Sequence, residues 1–118
     1  MGNFRDGTLQ VGQAFPAVSK TVLLTADNTA VAIDLETLLL IGSDNTTATN
    51  RTFTLTTSTV GAGHVLRLVW NTAASSKGEL ADTGTMKLNG NWLPSAVGDS
   101  LELLSDGTNW VEISRAYT

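Results

Sequence analysis

No stretch of this chain longer than a turn shows a convincing apolar recurrence at i, i+3, i+4 and i+7, Ala30 to Leu40 coming nearest; apolar residues come instead in short runs, several alternating with Thr, Ser or a charged residue. A chain without that helical period buries its apolar side chains from strands, where successive residues point to opposite faces. Clusters of Gly, Asn, Asp and Ser separate the runs, at the positions where a strand has to turn. The fold class read from this pattern is all-β.

Strand signals fall at residues 21–25, 30–33, 37–41, 51–56, 64–70, 79–82, 85–88, 101–105 and 109–114. Phe53 and Leu55 alternate with Thr52, Thr54 and Thr56, which predicts a half-buried strand with a hydrated Thr face. Leu66, Leu68 and Trp70 share one face of a well-buried strand. The run 37–41 is apolar at consecutive positions, so it predicts a strand covered on both sides, its outer face against another subunit. Leu39 is assigned to that subunit interface.

The last two runs flank Asp106-Gly107, a hairpin signal because Gly adopts positive φ without a steric penalty. A two-residue turn there pairs Leu103 with Trp110. A three-residue loop, 106–108, pairs Leu103 with Val111 and Leu101 with Ile113, and leaves Leu104 and Trp110 together on the opposite face. The second register gathers four aliphatic side chains on one face and is preferred. It gives the hairpin two apolar faces, one for the core and one, carrying Leu104 and Trp110, for a neighbouring subunit.

About eight short strands predict an antiparallel jelly-roll-like β-sandwich over residues 19–118, with an immunoglobulin-like sandwich as the alternative. Residues 1–18 are broken by Gly2, Gly7, Gly12 and Pro16 and read as an extended N-terminal arm, with Phe4, Leu9 and Phe15 available to dock on a neighbouring surface. At 118 residues the chain reads as one domain with a core of its own. It has no Cys, so disulfides and thiolate metal sites are excluded, and its net charge of −4 argues against nucleic acid as a partner. No apolar run is long enough to span a bilayer, and MGNFRDGTLQ lacks the apolar segment of a signal peptide, so no membrane partner is expected. Met1-Gly2 resembles a myristoylation start, but Asp6 stands where Ser or Thr is wanted. The reading is of a protein made in the cytoplasm.

Catalytic chemistry finds little to use. His64 is the single imidazole and has no nucleophile motif beside it. Gly61-Ala62-Gly63-His64 lacks the Lys and Ser/Thr of a phosphate loop. Asp27, Asp34, Glu36, Asp44, Asp82, Asp99 and Asp106 are scattered, without calcium-loop spacing. The chain reads as non-enzymatic, with no metal or cofactor. Asn45-Thr46-Thr47 and Asn50-Arg51-Thr52 fit the glycosylation pattern formally but suit turns equally. Trp70 and Trp110 are assigned to the core or a subunit interface, and Trp92, beside Leu93-Pro94, to an exposed loop where it suits stacking on a glycan.

The segment from Trp92-Leu93-Pro94 through Gly98-Asp99-Ser100-Leu101-Glu102-Leu103-Leu104-Ser105-Asp106-Gly107-Thr108-Asn109-Trp110-Val111-Glu112-Ile113-Ser114-Arg115 resembles the C-terminal part of tailed-bacteriophage virion proteins. A "GDxLxLxSDGTNWxEIS" ending is common there in head fibres, decoration proteins and tail-fibre modules. The resemblance covers the last quarter of the chain and implies a trimeric β-sandwich without enzymatic activity. Within that family, the short chain, the arm and the absence of shaft repeats lead to the expectation of a capsid decoration (cement) protein. It would bind the major capsid protein at the capsid surface as a homotrimer, with a tail-fibre or spike receptor-binding module, or a small carbohydrate-binding module, as the alternatives.

Overall fold

The described residues, 18–45, 49–56 and 60–118 of a computed structural model, form nine strands and no helix. They are β1 (Ser19–Leu24), β2 (Thr29–Val31), β3 (Leu38–Ser43), β4 (Arg51–Leu55), β5 (Val65–Trp70), β6 (Gly78–Leu80), β7 (Met86–Lys87), β8 (Ser100–Ser105) and β9 (Trp110–Ala116). Each lies on one of the expected runs. The arm, including Phe4, Leu9 and Phe15, lies outside the described residues.

The chain deals these strands alternately into two sheets. β1, β3 and β5 enter a six-stranded sheet of order β1-β3-β5-β8-β9-β7, and β2, β4 and β6 form a three-stranded sheet in that order. Because each of the first five strands is followed by one in the opposite sheet, the chain re-enters its first sheet in the same direction, and β1 pairs parallel with β3, β3 with β5, β2 with β4, and β4 with β6. The intervening strand of the other sheet serves as the long crossover that parallel pairing needs. Antiparallel pairing begins at β5 with β8 and continues from β8 to β9, while the short β7 runs parallel to β9 at the far edge. The antiparallel pairing expected of a jelly roll, and of its immunoglobulin-like alternative, is thus corrected to a mixed arrangement. A strand's alternation shows which face is buried, but carries no information about the direction of its neighbour.

Both sheets bury into one core. Leu39 and Ile41 of β3, Leu66, Leu68 and Trp70 of β5, and Leu101 and Leu103 of β8 face Phe53 and Leu55 of β4 and Leu80 of β6. At about 1.5–3 kcal/mol for each large apolar side chain removed from water, this cluster contributes most of the stability. The Thr face of β4 has a use beyond hydration. Thr52 Oγ1 accepts a hydrogen bond from Asn28 N at 2.8 Å and Thr56 Oγ1 accepts one from Ile33 N at 3.3 Å, so two threonines extend the β2–β4 ladder past both ends of the three-residue β2.

The hairpin adopts neither expected register. Ser105 pairs with Trp110, Leu104 with Val111 and Leu103 with Glu112; a bulge follows, after which Glu102 pairs with Ser114 and Leu101 with Arg115. The loop is wider than expected because the Asp106 carboxylate ties it down, accepting from Thr108 N at 2.9 Å, Asn109 N at 2.6 Å and Asn109 Nδ2 at 3.2 Å. Gly107, at φ 96°, completes the turn. The added loop residue rotates Trp110 into the core and leaves Leu104 and Val111 outside.

Candidate functional site

The strand registers place outward-facing residues of the six-stranded sheet in rows. Leu40, Val69, Ser100 and Ala116 lie side by side along one row; Leu38, Arg67, Glu102 and Ser114 along the next; Val65, Leu104 and Val111 along the third. The result is a polar stripe between two largely apolar ones. Val65 is exposed, and Leu38, Leu40, Val69, Leu104 and Val111 are half-buried. Exposed Ile113, displaced by the bulge, lies in the strand bordering this face.

The polar stripe satisfies itself. Arg67 donates from Nε and Nη2 to Glu102 Oε2 at 3.1 and 2.9 Å, and Ser114 Oγ donates to Glu102 Oε1 at 2.8 Å. The Ser114 hydroxyl, with Arg67 second, holds the Glu102 carboxyl below the usual carboxylate range. Both carboxylate oxygens and the forked end of the guanidinium are therefore engaged within one protomer, and the pair brings no net charge to the face.

The proposed interface residues divide on this geometry. Leu104 lies on the outer face, but Leu39 and Trp110 are fully buried in the core, which corrects their assignment to a subunit interface. In the run 37–41 it is Leu38 and Leu40 that face outward; alternation along the strand separates them from Leu39 and Ile41. Trp92 is also fully buried, which corrects its assignment to an exposed glycan-binding loop. It stands edge-on to Phe53, with ring centroids 6.4 Å apart, and its backbone exchanges hydrogen bonds with Leu80 at 3.0 and 2.9 Å, adding a bridge beside β6. Leu93-Pro94 suggests a loop locally, but the backbone pairing that draws Trp92 inward is a long-range contact.

A polar clamp that sequence reading missed holds the turn before Trp92. Arg115 donates to both Glu112 oxygens, at 2.8 and 2.7 Å, and to the carbonyls of Gly90 and Asn91, at 2.7 and 3.1 Å. Glu112 Oε1 in turn accepts from Asn89 N at 2.8 Å. The forked Arg115 contact holds the Glu112 carboxyl below its ordinary value; burial opposes this, and the Asn89 bond assists. The sequence signal was Glu112 and Arg115 at a three-residue spacing, legible as a pair only once the bulge between them is known.

The other candidates are engaged locally. His64 Nε2 lies 2.5 Å from the Glu36 carbonyl oxygen, and its ring packs edge-on against Trp110. Among the described residues, no three His, Asp or Glu side chains converge as metal ligands would. Asp44 pairs with Arg51 at 3.1 Å, and Asn45 Oδ1 accepts from Ser75 N and Oγ. Asp99, almost wholly buried, accepts from Ser95 N, Ala96 N, Thr118 N and the Thr118 hydroxyl.

Burial alone raises the Asp99 pKa, but the bonds from Ser95, Thr118 and Ala96 outweigh it and hold the carboxyl below its ordinary 3.8. A depressed folded-state pKa adds stability that is complete above the unfolded-state value and lost as pH falls through the folded one. Glu112 acts in the same direction. The expected result is a urea midpoint insensitive to both groups above about pH 5 and falling steadily below about pH 4. Asp99→Asn should lower stability at neutral pH and flatten the acid limb, as urea titrations across that range will show.

The chain matches no protein-family model and no curated protein.

Proposed function

We propose that the chain is a non-enzymatic structural protein of a tailed-bacteriophage virion, a capsid decoration protein that binds the major capsid protein as a homotrimer and stabilises the shell. The observation that carries this reading is where the phage-like segment falls. Residues 92–115 supply β8, most of β9, the charged pair of the clamp and Trp92 of the bridge beside β6, so the part of the sequence that resembles virion proteins builds both the end of the core and half of the striped outer face.

That face suits a threefold assembly in which three such sheets turn toward a common axis. Its apolar rows would leave water together, and the internally neutralised Arg67–Glu102–Ser114 stripe would enter the interface with its hydrogen bonds already made, which limits the desolvation cost of a buried ion pair. Capsid attachment belongs to the arm. Contacts by Phe4, Leu9 and Phe15, weak singly, combine through effective concentration when three copies bind together. Of the alternatives, a tail-fibre or spike module draws support from the parallel winding of β1 to β6, a form of packing that extends by adding further turns. The carbohydrate-binding reading needs Trp92 or Trp110 on an open face, and both are fully buried.

Light scattering coupled to size exclusion should give a trimer for the intact chain. Val65→Asp combined with Leu104→Asp, which faces it across β5 and β8, should give a monomer with an unchanged circular dichroism spectrum. Deleting residues 1–15 should abolish binding to undecorated capsids while the trimer persists. A monomeric parent chain, a trimeric double variant, or full capsid occupancy by the truncated protein would each sink the corresponding part of the proposal.

A further inference from the structure

The turn held by the clamp contains Asn89-Gly90, the single Asn-Gly pair of the chain. Both residues are exposed. Gly90 has φ 84°, and without a Cβ its backbone nitrogen can approach a neighbouring side chain closely. The Asn89 main-chain nitrogen is bonded to Glu112, whereas its carboxamide makes no hydrogen bond among the described residues. Asp106-Gly107 contrasts with it sharply. There the side chain is fixed by three donors, and those bonds, from Asn109 first and then Thr108, hold the carboxyl low and therefore ionised, a poor electrophile.

We propose that Asn89 is a site of spontaneous deamidation that releases the turn bearing Trp92. The Gly90 backbone nitrogen attacks Asn89 Cγ, a C–N bond forms, the amide nitrogen leaves as ammonia carrying the displaced proton, and a succinimide results. Water then opens the ring. Attack at Cγ gives aspartate, and attack at the former main-chain carbonyl gives isoaspartate, in which the backbone runs through the side chain; the sum is water consumed and ammonia released, with no oxidant or other reactant.

Both products act on the clamp. Each adds a carboxylate beside Asp82, whose Oδ2 lies 3.4 Å from Gly90 N, and a new competitor for the Arg115 guanidinium that holds Glu112 and the Gly90 carbonyl. Isoaspartate also lengthens the main chain by one methylene between two fixed points, the Glu112 contact at Asn89 N and the Arg115 contact at Gly90 O. The two anchors cannot both be kept. Asp82 is the opposing influence, because its nearby charge disfavours deprotonation of Gly90 N and slows ring closure.

The experiment incubates the full chain at neutral and mildly alkaline pH, with charge-resolved separation, peptide mass mapping and enzymatic isoaspartate labelling. The expected result is one dominant acidic species, faster at higher pH, with the modification at position 89 and the isoaspartate fraction cleaved more readily by protease within residues 88–92. Asn89→Gln, which leaves the main-chain contacts in place, should not form that species. Failure of position 89 to convert while a free peptide of residues 86–94 does so would overturn the proposal, as would conversion led by another residue. An isoaspartate fraction as protease-resistant as the parent would overturn the release of the turn.

Discussion

Trp92→Ala is expected to lower the unfolding free energy by about 3–5 kcal/mol, the usual loss when a fully buried Trp is truncated to Ala. For a domain stable by about 5–15 kcal/mol, that is a large share of the total. The side chain is fully buried and packs edge-on against Phe53, and its backbone pairs with Leu80, so truncation opens a cavity between β6 and the clamped turn. Trp92 Nε1 is buried without a hydrogen-bond partner among the described residues, which refines the expectation. Trp92→Phe gives up part of the ring volume but also removes an unpaired donor that costs about 1–3 kcal/mol, so it should lose much less than alanine. Urea denaturation of the two variants checks the order. An alanine variant as stable as the parent would show that the indole is dispensable to the fold and would reopen a surface role for it.

Gly78→Ala should destabilise by about 1–3 kcal/mol, the range for overfilling a packed core. A Cβ on Gly78 would lie 2.6 Å from Trp70 Cζ3, 2.8 Å from Trp70 Cη2 and 3.0 Å from Pro94 Cγ. None of these atoms is the end of a flexible chain: the Trp70 ring is fully buried, and Pro94 is tied to β6 by its carbonyl, which accepts from Gly78 N at 3.2 Å. A second effect opposes the clash. Alanine restricts the unfolded chain, worth about 0.4–1 kcal/mol in favour of the variant wherever the backbone tolerates it. The clash outweighs that gain, so the net loss should survive, and a bulkier side chain at the same position should lose more. A thermal midpoint at or above that of the parent would mean that the rings yield.

Much of this architecture is legible in short stretches. Every strand lies on an apolar or alternating run, and Leu66, Leu68 and Trp70 share a face as their spacing requires. Alternation also carried the hairpin's two-faced character, with Leu101 and Leu103 inside and Leu104 outside. The candidate assembly face was partly visible in the run 37–41, but the residue chosen from it, Leu39, belongs to the core, and the outward pair is Leu38 and Leu40. A consecutively apolar strand gives no sign of which parity points inward. That is decided by the sheet packed against it.

The corrections share one cause. Trp110 turned inward because Asp106 holds a loop one residue wider than the preferred three-residue turn, and in a strand a one-residue shift exchanges the two faces. Trp92 is buried because β6, a dozen residues earlier, supplies the backbone partners that draw it in. Glu112 and Arg115 form a clamp because a bulge changes the phase between them and the carbonyls of Gly90 and Asn91 lie within reach.

The sequence by itself determined that the chain is built of strands, where those strands lie and which of them alternate, because side-chain period and turn chemistry act over a few residues. Only the tertiary structure decided that the first six strands sort alternately into two sheets, that they run parallel within them, and which face of each became interior. Those outcomes depend on hydrogen-bond partners distant in the chain, and local alternation is the same whichever partner a strand finds.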